Sequence, residues 1–420
     1  MLPPDLVDEL FRHRYARMVA GLCRVLGPTR LDLVEDVVQE ALLRALRVWP
    51  AEGVPEKPEA WVFRVARNLA LDTLRRQKIA AKVDTELQQW AEQQSPAKDQ
   101  PEGIADDTLR MLFLCSHPAV PADARVPLIL KTVCGLGGPA IARALLQKEA
   151  TIAQRLVRAK AKLQALDIVF EVPRPEELPH RLDLVLQVIY LLFNEGYRAH
   201  EGEQLVRSDL VDEAVRLCAL LLERPETTTP SVQALMALML MLGARIPART
   251  DGSGDLLTLA AQDRSRWDRR WLACGMFHFR LSIGGDRLTP YHCEAAIASL
   301  HATAATYADT NWRRILEEYD RLQALAPSPI VRLNRAVAVG KVHGAAAGLE
   351  ELRTLQDDRV LDDYFLLAAT TAQMHWVLGD HGKAQLCLER AAEQPCSDPE
   401  RRLLQQRLLA CRRGEPAPPW

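Results

Sequence analysis

Ala140-Ile141-Ala142-Arg143-Ala144-Leu145-Leu146-Gln147-Lys148-Glu149-Ala150-Thr151-Ile152-Ala153-Gln154-Arg155-Leu156-Val157-Arg158-Ala159-Lys160-Ala161-Lys162-Leu163 sets the fold class of this chain. Ile141, Ala142, Leu145 and Leu146 give a short helix with one apolar face. Gln147-Lys148-Glu149 can turn. A second helix follows, with Ile152, Ala153, Leu156, Ala159 and Leu163 as its inner positions. Apolar residues three and four apart fall on one side of an α-helix. Thr151, Gln154, Arg155, Arg158 and Lys162 share the other side, with Lys148 at the helix start. A helix-turn-helix offers its second helix to the DNA major groove in this way. Arg and Gln can bond base edges in pairs, while Thr and Lys reach phosphates. Taken alone, the segment equally describes a helical hairpin with a solvated basic face.

The same period runs outward in both directions. Val34, Val37, Val38, Ala41, Leu42 and Ala45 follow it, and so do Leu210, Ala214, Leu217 and Leu221. No stretch alternates as a strand with hairpin turns. Aromatic residues make up 5% of the chain, low for a β-sandwich. The fold class expected is all-α. Apolar residues at 48% and charged residues at 26% describe a globular chain rather than a disordered one. The longest apolar runs, 184–193, broken by Gln187, and 234–242, fall short of the roughly 20 residues a membrane span needs and read as buried helices. The N-terminus has no basic and apolar leader pattern.

Two breaks divide the 420 residues, more than one core usually fills. From Asp84 to Asp107 there are seven acidic residues against one lysine, which reads as a flexible acidic linker over 84–105. Pro173 to Pro179 holds three prolines and breaks helices. The expected domains are 1–83, 106–168 and 180–420. Overall charge is −2, from 53 Lys and Arg against 55 Asp and Glu, which excludes a wholesale basic coat. Locally it is different. Residues 61–83 carry Arg64, Arg67, Arg75, Arg76, Lys78 and Lys82 against Asp72, and residues 143–162 carry Arg143, Lys148, Arg155, Arg158, Lys160 and Lys162 against Glu149. Two basic helical segments joined by an acidic tether suggest two contacts with one polyanion.

Leu31 to Trp49 has the opposite character. Beside its apolar stripe lie Asp32, Glu35, Asp36, Gln39 and Glu40. Such a face either complements the helix dipole or docks a basic partner. Residues 58–76 begin at Pro58, suited to a first helical position. Arg64, Arg67, Asn68, Arg75 and Arg76 offer guanidiniums beside an amide, which suits backbone tracking with one or two base contacts. Trp61 and Phe63 read as core.

The nine cysteines form no C-x-x-C pair. They read as reduced, packed thiols of a cytoplasmic protein with no zinc site. Asp251, Asp255, Asp263 and Asp268 could be imagined as a carboxylate site, but no nucleophile, metal-ligand spacing or phosphate-binding glycine loop accompanies them. They read as caps and ion pairs, with no catalytic residue, no metal and no cofactor expected.

In order, Val34-Glu35-Asp36-Val37-Val38-Gln39-Glu40-Ala41, Ala60-Trp61-Val62-Phe63-Arg64-Val65-Ala66-Arg67-Asn68-Leu69-Ala70-Leu71-Asp72 and Ala153-Gln154-Arg155-Leu156-Val157-Arg158-Ala159-Lys160 resemble an extracytoplasmic-function (ECF) type sigma factor of the sigma-70 family, over residues 8–168. The resemblance implies two conserved regions, 2 and 4, on a flexible linker. It implies that Asp32, Glu35, Asp36, Gln39 and Glu40 bind core RNA polymerase, at the coiled-coil clamp of its largest subunit. Arg64, Arg67, Asn68, Arg75 and Arg76 would read a partly single-stranded −10 element, with the loop from Pro50 to Pro58 helping to hold an extruded base. Lys148, Thr151, Gln154, Arg155, Arg158 and Lys162 would read duplex DNA at −35. Leu191-Leu192-Phe193-Asn194-Glu195-Gly196-Tyr197, Ala261 to Asp268 and Ser328 to Ala338 resemble the ECF group with a long C-terminal TPR-like helical extension. From spacing alone, Ala372, Gly379, Ala384, Leu388 and Ala391 fit one helical-hairpin repeat, and Ala336 begins a weaker copy about 36 residues earlier. The expected function is non-enzymatic promoter recognition with a modulating helical domain, which could take a protein partner. An ordinary helix-turn-helix regulator with a sensing domain, acting without polymerase, is the alternative.

Overall fold

The computed structural model describes residues 15–76, 102–145, 147–165, 170, 173–174, 176–198, 206–356 and 358–419. Among these the protein is all-helical, with a lone bridge between Thr250 and Leu256 as its only β pairing. The expected fold class is borne out. By contact the chain divides into two compact units, residues 1–192 with 212–227, and residues 193–211 with 228–420. The acidic linker expected at 84–105 lies outside the described residues except for 102–105, which already belong to a helix.

The first unit contains α1 (Tyr15–Leu26), α2 (Leu31–Glu52), α3 (Pro58–Arg76), α4 (Glu102–Cys115), α5 (Ala122–Thr132), α6 (Gly138–Ala144) and α7 (Glu149–Gln164), then most of α8 (Leu178–Tyr197) and α9 (Ser208–Leu222). α2 and α3 pack as a pair, with Trp49 and Trp61 edge to face at 5.5 Å. α2 runs through Pro50 and stops at Gly53, whose φ of 88° favours glycine. The loop expected over 50–58 is therefore shortened to 53–57. α4 lies on α1, where Cys23 and Cys115 are fully buried on the two helices. Their thiols are pushed up, first by burial, so they pack as apolar groups. α5 and α6 both pack on α7. Arg181 of α8 donates to the Phe113 carbonyl at the end of α4 and lies over the Phe113 ring at 5.8 Å.

The second unit holds α10 (Pro230–Gly243), α11 (Arg269–Ser282), α12 (Pro290–Thr303), α13 (Trp312–Leu325), α14 (Pro329–His343), α15 (Ala345–Arg353), α16 (Phe365–Val377), α17 (His381–Glu393) and α18 (Asp398–Arg412), each packed on the next. Several begin with a hydroxyl residue before proline. Thr229-Pro230, Thr289-Pro290 and Ser328-Pro329 each place an N-cap oxygen ahead of a residue whose missing N–H costs nothing. By length and composition, residues 230–248 could cross a membrane, but 72% of that window is buried within the fold. Ala372, Ala384, Leu388 and Ala391 form one buried cluster, with Gly379 at φ 79° turning α16 into α17. Ala336 sits in the cluster beside it, and Gly344, at φ 93°, turns α14 into α15. Asp251, Asp263 and Asp268 accept from backbone N–H groups in turns and caps, and Asp255 pairs with Arg402.

Candidate functional site

α2 presents two kinds of carboxylate. Asp36 and Gln39 are exposed, and Glu40 is half-exposed with Arg44 at 3.1 Å. Asp32 and Glu35, one turn earlier, are already engaged. Glu35 is only 3% exposed. Its Oε1 accepts from Thr132 Oγ1 of α5 at 2.9 Å, and its Oε2 lies 2.5 Å from Lys160 Nζ of α7. Lys160 also reaches Asp32 Oδ1 at 2.9 Å, and Gln164 donates to Asp32 Oδ2. Burial works to depress the Lys160 ammonium, but Glu35 and Asp32 outweigh it, and its pKa stands above the ordinary lysine value. A carboxylate taken out of water needs such partners. Thus α2 uses its first turn to hold α7 and leaves Asp36, Gln39 and Glu40 facing outward.

α3 shows a cleaner face. Arg64, Asn68, Asp72 and Arg75 are exposed at helical spacing, and Arg75 pairs with Asp72 at 3.8 Å. Arg67 is half-buried. The side chain of Arg76 lies outside the described residues. Phe63 is buried and Trp61 half-buried against Trp49, both as core.

α6 ends at Ala144, before Leu145, which was expected on its apolar face, and α7 begins at Glu149, which was expected in the turn. Ile152, Ala159 and Leu163 are buried and Leu156 is half-buried. Ala153, expected on the inner side, is exposed, and so is Val157 at 68%, because α5 and α6 cover only a narrow stripe of the helix. Gln154, Arg158, Lys162 and Lys148 are exposed, while Thr151 and Arg155 are half-buried. Arg155 Nε lies 3.1 Å and Arg158 Nη2 3.2 Å from Asp123 Oδ2 at the start of α5. Arg155 also donates to Gln147 in the turn. Thr132 and Asp123 were missed by the sequence reading, and Gln147 was read only as part of the turn. Only the tertiary fold brings Thr132 to Glu35, and no spacing could have found it.

Three helices therefore carry an acidic stripe, an arginine–asparagine stripe and a basic helix after a tight turn. Residues 11–79 match the family model described as Sigma-70 region 2. Residues 181–283 match a family of unknown function, DUF6596. The chain belongs to one family with an uncharacterized protein of Rhizobium meliloti (strain 1021), to which it is 40% identical over 365 residues, covering 86% of each chain. No solved structure matches it.

Proposed function

We propose that the protein is a promoter-specificity subunit of RNA polymerase, an ECF-type sigma factor whose C-terminal helices modulate its activity. The observation that carries this is the coincidence of the region 2 match with α1–α3, where the exposed acidic stripe of α2 and the exposed Arg64–Asn68–Arg75 stripe of α3 occupy paired helices. In this reading Asp36, Gln39 and Glu40 dock on the polymerase. The α3 stripe follows the −10 strand, its guanidiniums on phosphates and the Asn68 amide on a base edge. Turning a base out of the stack costs a few kcal/mol, so the loop 53–57 would shelter it. α6 and α7 act as a helix-turn-helix, with Gln154, Arg155 and Arg158 toward −35 base edges and Lys148, Thr151 and Lys162 toward phosphates. Bond-making chemistry belongs to the polymerase, and no metal or cofactor is required of this chain.

The contact of Lys160 and Gln164 with Asp32 and Glu35 adds a regulatory element to the reading. It holds regions 2 and 4 together through residues at the edge of both working faces, and polymerase binding would draw them apart. The run of helices α10–α18, each stacked on the next, supports a TPR-like repeat domain, in which neighbour contacts build a continuous groove.

The test is holoenzyme formation. Asp36→Lys with Glu40→Lys changes exposed side chains and should leave folding within about 0.5 kcal/mol. Mixed with core polymerase, the folded full-length double variant should fail to assemble and fail to initiate from a cognate promoter. Normal assembly would remove the docking role of α2. Specific duplex binding by wild type without polymerase would instead indicate an ordinary helix-turn-helix regulator.

A further inference from the structure

A cavity of about 310 Å³ opens in the second unit between the end of α8, the loop after α10, α16 and α18. Its walls are largely apolar, with Leu256, Phe365, Leu366, Ala369, Leu403 and Leu404. Three arginines also line it, Arg198, Arg249 and Arg407, against one carboxylate, Glu400. Volume and lining suit a small-molecule site, where apolar walls surround a few convergent polar groups.

The one carboxylate is fully committed. Glu400 Oε1 accepts from Arg198 at 2.7 Å. Its Oε2 accepts from the Ser397 N–H at 3.0 Å and hydroxyl at 2.9 Å, in the capping box of α18. Arg249 is 8% exposed. Its guanidinium lies over the Tyr197 ring at 4.1 Å and donates to the Tyr197 carbonyl. Arg407 donates to Gln373 Oε1 at 3.3 Å, and Gln373 Nε2 in turn donates to the Pro418 carbonyl at 2.7 Å. Among the described residues neither Arg249 nor Arg407 meets a carboxylate. Burial depresses both guanidiniums. A buried cation without a counter-charge is costly, and removing it commonly leaves a protein no less stable. Arg249 is buried and feels Glu400 only from beyond ion-pair distance, and Arg407 is half-buried; with three arginines against one carboxylate already paired to Arg198, the cavity carries an excess of positive charge that suits an anion. The aromatic and carbonyl contacts fix the Arg249 fork before any ligand arrives, and a planar fork matches the two oxygens of a carboxylate.

We propose that this cavity is a binding site for a small amphipathic carboxylate, its head group on Arg249 and Arg407 and its hydrocarbon body along Leu256, Phe365, Leu366 and Leu403. Part of the site, Arg198, Arg249, Leu256 and Thr258, lies within the stretch that matches the family of unknown function, and the remainder comes from α16 and α18. The modulating domain would thereby respond to a metabolite as well as to a protein.

Isothermal calorimetry on the full-length protein tests this with octanoate as the probe, beside octan-1-ol and inorganic phosphate. Neither polymerase nor DNA is present, so a failure here leaves the reading of α1–α7 untouched. Octanoate should bind at submillimolar concentration, and octan-1-ol and phosphate at least about tenfold more weakly. R249M and R407M should each weaken octanoate at least about tenfold while the melting temperature of the ligand-free protein holds or rises. A369L keeps all three arginines and fills the cavity, and should abolish binding. No heat from octanoate at about 10 mM overturns the proposal. Equal binding of octan-1-ol, equal binding of phosphate, or undiminished octanoate binding by folded R249M and R407M would do the same.

Discussion

Replacing Lys160 by methionine should loosen α7 from α2 and raise affinity for polymerase. The ammonium lies 2.5 Å from Glu35 and 2.9 Å from Asp32, and the Glu35 side chain is 4% exposed against 22% for Lys160. Removing one partner of a fully buried pair costs about 3–5 kcal/mol. Lys160 keeps some solvent, and Thr132 still donates to Glu35, which brings the figure to about 1–2 kcal/mol. That shifts an opening equilibrium by about 5- to 30-fold. Where only the open form binds, apparent affinity follows the open fraction. Core polymerase, titrated without DNA into full-length protein labelled at the exposed Cys274, should therefore bind K160M about 5- to 30-fold tighter, and K160R should return it toward wild type. Unchanged affinity in a variant destabilised by the same 1–2 kcal/mol would reduce the contact to scaffolding and refute the reasoning. The contact should also ignore physiological pH. A raised lysine pKa contributes stability that is complete below the unfolded value near 10.4 and is lost only as pH rises through the folded one.

Three further expectations follow from the geometry. Arg155→Ala should relax preference at one −35 position at a cost of about 1–3 kcal/mol, while Lys162→Ala weakens all promoter variants alike, as competitive binding to a promoter panel would show. Gly196→Ala should destabilise the second unit by about 1–3 kcal/mol, because a Cβ there would lie 2.7 Å from the Val211 nitrogen and 2.8 Å from Leu210 Cβ; a melting temperature equal to wild type would contradict it. His301 is pushed down to about 3, first by burial and then by Arg245 and Arg264. Below about pH 6.5 the unfolded chain takes up a proton that the folded one refuses, so stability should fall by about 1–2 kcal/mol from pH 7 to pH 5. His301→Gln should flatten that slope in urea unfolding read from the neighbouring Trp312.

The sequence displayed helices better than it displayed their company. The apolar period around Val34 and Val38 and around Ile152 and Ala159 marks α2 and α7, since a buried stripe leaves a local trace. The exposed stripe at Arg64, Asn68 and Arg75 was legible for the same reason. Asp32 and Glu35 look identical to Asp36 and Glu40 in a linear reading, as four acids on one helix. What separates them is Lys160 and Thr132, brought up from distant parts of the chain. The pairing of Arg155 and Arg158 with Asp123 was hidden likewise. Arg249 and Arg407 carry no periodic signal, and only the fold places them on one cavity.

Asp123 bears on how steeply DNA binding will depend on salt. Of the six cations between Arg143 and Lys162, Arg155 and Arg158 share Asp123, and Lys160 faces Asp32 and Glu35. A cation already paired inside the protein displaces few condensed counterions when it reaches a phosphate, because its own carboxylate must first be released. Each freely available cation contributes a slope of roughly −0.9 in log affinity against log salt. With Lys148 and Lys162 the exposed cations that remain, the helix pair should contribute a slope no steeper than roughly −2, about a third of what its composition suggests. The protein would then lose little grip on the −35 duplex as ionic strength rises, at the cost of a weaker long-range pull toward DNA.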